Sequence, residues 1–240
     1  SKEIPSITDV FFETMSGLTT TGATIINDIE ILPRDILFWR SFTQWLGGMG
    51  IIVLTVALLP LLGIGGIELF IAEAPGPTSE KLHPRIKDTA KALWYIYLSL
   101  TLVLWFLLWI SGMDWYDGIN HALTTMATGG FSTKNSSMAY YSNQIQYIVA
   151  IFMFLAGVNY SLHYLALRGK FKTVFSSDEL KSYMVVVALF IVTITLSVYQ
   201  VSEVTLEQAF RETTFQVISI ITTTGYVTAD YTSWAAPITF

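Results

Sequence analysis

The chain has 240 residues, of which 52% are hydrophobic and only 13% charged, with a mean hydropathy of +0.54. Soluble domains carry about a quarter charged residues, so this depletion points to a membrane protein. A net charge of −5 gives no basic footprint for nucleic acid, the absence of cysteine excludes disulfides and thiolate metal sites, and three dispersed histidines form no metal cluster.

Residues 7–18 are mostly apolar but too few to span a bilayer, which needs about 20 apolar residues, so they read as a re-entrant or buried helix. Thr8 and Asp9 are candidate caps for it. A threonine-glycine strip, Thr19-Thr20-Thr21-Gly22-Ala23, follows at its C-terminal end, and then a polar stretch, residues 27–35, containing Pro33. Residues 36–62 form the first spanning candidate, with Trp39 and Trp45 near one end as an interfacial aromatic belt would have them. Gly47, Gly48 and Gly50 lie inside it and favour close helix packing over ion contact. Arg40 lies near its outer end and reads as interfacial. Gly63, Gly65, Gly66 and the run Ala74-Pro75-Gly76-Pro77 end the helix ahead of a charged loop at 81–91.

Residues 92–110 are the cleanest span, with Ser99 and Thr101 its only polar side chains. After a turn holding Asp114 and Asp117, residues 118–126 are again short, and Met126-Ala127-Thr128-Gly129-Gly130 follows them. A polar stretch at 132–143 leads to a span at 145–167, interrupted by Asn159 and His163. A second basic loop covers 168–181 and a further span 183–199. Amphipathic residues 202–216 then run into a third strip, Thr222-Thr223-Thr224-Gly225-Tyr226.

The order is a span, re-entrant helix, strip and span unit in tandem, truncated at both ends. Residues 1–70 form the first repeat without its outer helix, 71–91 a cytoplasmic loop, 92–168 the second repeat, 169–181 another cytoplasmic loop, and 182–240 a third repeat with a truncated inner helix. The fold class expected is all-α and integral to the membrane, with pseudo-symmetric membrane–pore-loop–membrane repeats around a central pore that this chain leaves incomplete. The chain opens at Ser1 without an initiator Met and stops at Phe240 in what reads as the first turn of another helix, so it is read as part of a longer polypeptide.

The two basic loops hold Lys81, Arg85, Lys87, Lys91, Arg168, Lys170, Lys172 and Lys181, which the positive-inside rule assigns to the cytoplasm. The strips then open outward, beside Asp28, Glu30, Asp35, Asp114, Asp117, Glu203, Glu207 and Glu212, whose charge would gather cations.

Non-helical backbone at membrane depth persists only where protein buries it or it lines a water-filled space. Ion-selectivity filters use that allowance, with carbonyl oxygens replacing the hydration shell of a cation. Each short helix also points its partly negative C-terminal end at its strip. Aligning Gly22, Gly129 and Gly225 puts Thr21, Thr128 and Thr224 one position before the glycine, and polar Glu13, Asn120 and Gln216 nine before it. Glu13 reads as a packing residue, since Asn120 and Gln216 bring no charge. Asn159 and His163 are candidates because polar groups inside a span are functional by default, with His163 open to either packing or gating.

Residues 17–24, Gly-Leu-Thr-Thr-Thr-Gly-Ala-Thr, and 38–50, Phe-Trp-Arg-Ser-Phe-Thr-Gln-Trp-Leu-Gly-Gly-Met-Gly, resemble the TrkH branch of the bacterial TrkH/TrkG/KtrB potassium-uptake family. The strips at 127–132 and 222–226 are similar to that family's second and third filter strips. The resemblance implies four tandem repeats in one polypeptide of the bacterial inner membrane, a homodimer in the lipid bilayer, and a cytosolic nucleotide-binding regulatory subunit of TrkA type. It implies K+ as the transported ion, no organic cofactor, no catalytic residue, and carbonyl ligands around Thr20, Thr21, Gly22, Ala127, Thr128, Gly129, Thr223, Thr224 and Gly225. Alternatives are a Na+-permeable or Na+-coupled transporter of the same architecture and, from other classes, an intramembrane enzyme or a non-conducting membrane fragment. No converging pair of intramembrane acids supports the enzyme.

Overall fold

The computed structural model describes residues 6–58, 86–202, 204–231 and 234, with the side chains of 51–58 and 86–90 left aside. The glycine and proline run at 63–77, Lys81, His83, Arg85 and Glu203 lie outside the described residues. The described residues form helices and connecting turns with no strand. In chain order the helices are α1 (Ile7–Leu18), α2 (Arg34–Leu58), α3 (Ile86–Ile110), α4 (Trp115–Met126), α5 (Asn143–Ala156), α6 (Tyr160–Leu167), α7 (Phe171–Ser176), α8 (Asp178–Val201) and α9 (Leu206–Ile221), with a 3-10 turn at Ser137–Tyr140.

The helix starts follow local chemistry. Asp114 accepts the Tyr116 N–H at 3.0 Å to cap α4, and Thr205 accepts the Gln208 N–H at 3.2 Å to cap α9. Ser177 accepts from Leu180 at the start of α8, where Asp178 and Glu179 complement the helix dipole. At α1 the N-cap is Ser6, which makes no side-chain cap bond, so neither Thr8 nor Asp9 caps it; both lie inside the helix.

Among the described residues two helices are long and apolar enough to cross a membrane, Lys91–Ile110 with mean hydropathy 2.0 and Asp178–Val201 with 2.3. Both expose apolar faces, with Leu102, Phe106 and Trp109 outward on α3, and Val185, Leu189 and Val192 outward on α8. A helix that is apolar all round is at home in lipid. The opposite faces enclose a core in which Leu104 and Leu108 of α3 meet Ala122 of α4, Met153 of α5 and Phe215 of α9.

The segment expected as one interrupted span, 145–167, is two helices. α5 and α6 are bent by 99° at the break between them. Asn159 makes the break by capping α6, its side chain accepting the Ser161 N–H at 3.0 Å. His163 then folds back, its Nε2 donating to the Leu155 carbonyl at 2.9 Å, and so closes the corner. Gly157 sits in the angle, where an added Cβ would come within 2.7 Å of the Tyr183 hydroxyl and 2.9 Å of the Thr222 methyl. The basic loop at 168–181 is likewise partly helical, holding α7 and the start of α8.

Candidate functional site

Helices α1, α4 and α9 end in the same way. Their C-caps are Thr19, Ala127 and Thr222. The next residues, Thr20, Thr128 and Thr223, have φ of 55°, 50° and 57°. Thr20 N–H reaches the Gly17 carbonyl at 3.0 Å and Thr21 N–H the Ser16 carbonyl at 3.0 Å. The same two bonds recur as Thr128 to Thr125 and Gly129 to Thr124, and as Thr223 to Ile220 and Thr224 to Ser219. This is the Schellman arrangement, which normally places glycine at the left-handed position. Here a β-branched threonine holds it three times, at roughly 1–2 kcal/mol of backbone strain each.

A left-handed glycine follows two residues later, at Gly22 (φ 76°), Gly130 (φ 76°) and Gly225 (φ 80°). The backbone therefore aligns Gly22 with Gly130 and Gly225, and the register read from sequence was off by one in the second strip. Gly129 stands in the place of Thr21 and Thr224. Ala127 stands with the capping residues Thr19 and Thr222, whereas the sequence register pairs it with Thr20 and Thr223.

The same correction moves the polar position on the helices. The residue matching Glu13 and Gln216 is His121, whereas Asn120 donates its amide to the Tyr116 carbonyl one turn back. Glu13 Oε1 accepts from Thr24 Oγ1 at 2.7 Å and from the Ile25 N–H at 2.8 Å. At the matching place His121 Nε2 lies 3.0 Å from Ser132 Oγ. Gln216 donates to the Ala229 carbonyl at 3.2 Å. In all three places this side chain ties the short helix to the segment leaving its strip.

Arg40 was expected at the interface. It is instead buried, 5% exposed, with Nε 3.0 Å from Glu13 Oε2 and its guanidinium over the Phe131 ring at 4.0 Å. A buried carboxylate requires such a partner. Sequence reading missed it because the two residues are 27 apart.

The strips lie side by side. A Cβ added at Gly22 would collide with the Gly129 carbonyl, and one at Gly130 with the Thr224 carbonyl. Beyond Gly225 no described residue lies within 4 Å of such a Cβ. The residues after Gly130 and Gly225 reach the preceding short helix. Phe131 packs toward Gly17 of α1, and the Tyr226 hydroxyl bonds Thr124 of α4. Among the described residues no donor reaches the carbonyls of Thr20, Gly22, Thr128, Gly130, Thr223 or Gly225. The Gly129 carbonyl, by contrast, accepts Gln44 Nε2 at 2.7 Å.

Gly47 and Gly48 serve packing, as expected. A Cβ on Gly47 would sit 2.8 Å from the Leu18 carbonyl carbon, and one on Gly48 2.9 Å from Ala127 Cα. The candidates Asn159 and His163 lie at the α5–α6 corner described above and bond there. The acidic residues beside the strips are largely engaged. Asp117 accepts from Thr133 at 2.8 Å and from Tyr141 at 3.0 Å, while Arg211 pairs with Glu207 at 3.3 Å. Burial raises the Tyr141 phenol above its usual pKa, so it stays protonated as a donor to Asp117.

A family model described as TrkH, cation transport protein, matches residues 1–240. The chain is 46% identical over 235 residues to the Trk system potassium uptake protein TrkH of Vibrio parahaemolyticus, covering 95% of this chain and 48% of that protein. It is 46% identical over 237 residues to the TrkH of Escherichia coli and 38% identical over 229 residues to the TrkG of the same organism, covering 95% and 94% of this chain and 48% and 47% of those proteins. The crystal structure of the potassium transporter TrkH from Vibrio parahaemolyticus superposes with a TM-score of 0.80 at 41% identity, covering 96% of this chain and 47% of that one. The chain thus spans about half the length of the curated relatives it matches.

Proposed function

Because the chain belongs to the TrkH cation transport protein family, we propose that it forms part of a pore for potassium uptake across a bacterial inner membrane. The observation that carries this reading is the threefold Schellman end with threonine, not glycine, in the left-handed position, each followed by a left-handed glycine. Strain held three times over in one geometry marks a site where backbone direction matters more than stability.

The alternation of positive and negative φ along each strip leaves the carbonyls of Thr20, Gly22, Thr128, Gly130, Thr223 and Gly225 without protein donors, as oxygens that would replace water around a dehydrating K+. The C-terminal ends of α1, α4 and α9 add partial negative charge behind them. No bond is made or broken in this function, and the ion itself is the cargo. The full-length protein supplies the remainder of the ring, acts as a homodimer, and takes a cytosolic nucleotide-binding partner of TrkA type. The roughly twofold greater length of the relatives supports the missing remainder of the ring, and their name as Trk system proteins fits a protein that works within a larger system.

The test is Rb+ uptake by potassium-transport-deficient cells expressing the full-length protein, with and without excess Na+, beside Gly130→Ser at matched membrane expression. Rb+ uptake that withstands Na+, and weakened discrimination in the variant, support the reading. A well-expressed protein that carries no Rb+ removes it.

A further inference from the structure

The three strips are braced by two different devices. In the first, Thr19 Oγ1 and Thr21 Oγ1 are 2.8 Å apart, and Thr19 also donates to the Met15 carbonyl at 2.7 Å. The third repeats this, with Thr222 and Thr224 2.8 Å apart and Thr222 donating to the Ile218 carbonyl at 2.7 Å. The second strip has Ala127 and Gly129 at those positions and can make neither bond.

The space is filled from another element. Gln44 of α2 is fully buried, 0% exposed. Its Nε2 donates to the Gly129 carbonyl at 2.7 Å, and its Oε1 accepts the Phe131 N–H at 3.1 Å. One carboxamide thus holds the peptide groups on both sides of the left-handed Gly130. A Cβ at Gly129 would lie 2.5 Å from Gln44 Oε1 and 2.8 Å from Nε2, so the carboxamide occupies the volume that a threonine side chain takes in the other strips. A side chain serving only as filler would not need both its donor and its acceptor satisfied by the same strip. Buried amides left half-paired are costly, and fully paired ones fix a single geometry.

We propose that Gln44 is a positioning residue for ion selectivity, standing in from the first repeat for the threonine brace that the second strip lacks. The proposal rests on the reading of the strips as a filter. It also sets the second strip apart, since its geometry depends on where α2 stands while the other two strips are braced from within. α2 is already seated against both neighbours, through Gly47 at Leu18 and Gly48 at Ala127.

The test uses the full-length protein in potassium-transport-deficient cells, with Rb+ uptake measured against Na+ at matched membrane expression. Gln44→Ala is expected to lower Rb+ over Na+ discrimination by about tenfold, the upper end of what one net hydrogen bond sustains. Gln44→Glu keeps the acceptor for Phe131 but replaces the donor to Gly129 with a repelling oxygen, and is expected to lose discrimination while retaining shape. Gly129→Thr alone is expected to abolish uptake through collision with Gln44, and Gln44→Ala/Gly129→Thr to recover it, because the threonine then enters the vacated volume. Non-additivity of that kind is the signature of shared space. Unchanged discrimination in both Gln44 variants would overturn the proposal, as would a double variant no better than Gly129→Thr. Gly130→Ser separates the two levels: loss of discrimination there, with Gln44→Ala and Gln44→Glu unaltered, removes Gln44 and leaves the filter, whereas no change in any variant removes both.

Discussion

Alanine at Gly22 or Gly130 compared with alanine at Gly169 separates backbone strain from strip-to-strip contact. All three glycines are left-handed, with φ of 76°, 76° and 73°. Gly169 ends α6 in a surface turn and has nothing within 4 Å of an added Cβ. Alanine there costs only the left-handed penalty, roughly 1–2 kcal/mol. At Gly22 the same penalty applies, and the Cβ also meets the Gly129 carbonyl well inside van der Waals contact, with the carbonyl carbon at 3.2 Å. At Gly130 the obstacle is the Thr224 carbonyl, with its carbon at 3.1 Å. Backbone cannot rotate away as a side chain can, so overpacking adds about 1–3 kcal/mol and pushes neighbouring strips apart. Gly169→Ala is therefore expected to transport normally with a small drop in thermal midpoint. Gly22→Ala and Gly130→Ala are expected to lose several kcal/mol and most Rb+ over Na+ discrimination. The assay pairs detergent thermal stability of the purified full-length protein with Rb+ uptake in cells. Normal discrimination in Gly22→Ala and Gly130→Ala would refute the strip-to-strip contact as the element that shapes the pore.

Three further outcomes follow from named contacts. Arg40→Met leaves Glu13 as an unpaired buried charge and is expected to cost about 3–5 kcal/mol, while Arg40→Met/Glu13→Gln recovers much of it; thermal unfolding of the three proteins checks this. Tyr226→Phe removes a hydroxyl bonded to Thr124 and is expected to cost about 1 kcal/mol and to loosen the third strip against α4, read as faster amide exchange at Gly225. Asn159→Ala removes the α6 cap and is expected to cost about 1 kcal/mol, whereas Asn159→Asp keeps the cap oxygen but turns a second carboxylate oxygen toward Glu179, now 3.5 Å from the Asn159 amide nitrogen, and is expected to recover only part of that loss, by the same unfolding assay.

The short helices were legible because their apolar runs are too brief to cross a bilayer and each ends at Thr and Gly. α1 at Ile7–Leu18 falls where its composition puts it. The second strip was misaligned because two glycines stand together and the first was chosen. The pattern Thr-any-Gly, found at Thr20 to Gly22 and Thr223 to Gly225, selects Gly130, and Ser132 opposite His121 repeats Thr24 opposite Glu13. The α5–α6 corner was hidden by continuous apolar character through Leu167, although Asn159 ahead of a new apolar run is a helix-start signal. The Glu13–Arg40 pair and the Gln44 clamp depend on residues 27 and 85 positions apart, and no local pattern carries such distances.

The way Phe131 and Tyr226 lean on the preceding repeat has a consequence for biogenesis. Gly17 is met first by Thr43 of α2 and then by Phe131, while Thr124 waits for Tyr226, which is 102 residues further along the chain. A polypeptide emerging N-terminus first at about 5–20 residues per second leaves α4 without the Tyr226 hydroxyl for several seconds. On the proposed pore, the strips are then braced in chain order, with α9 and its strip closing over α4. A pause or an insertion defect after α5 would therefore leave the second strip without the Tyr226 hydroxyl, its left-handed threonine held only by the end of α4 and by Gln44.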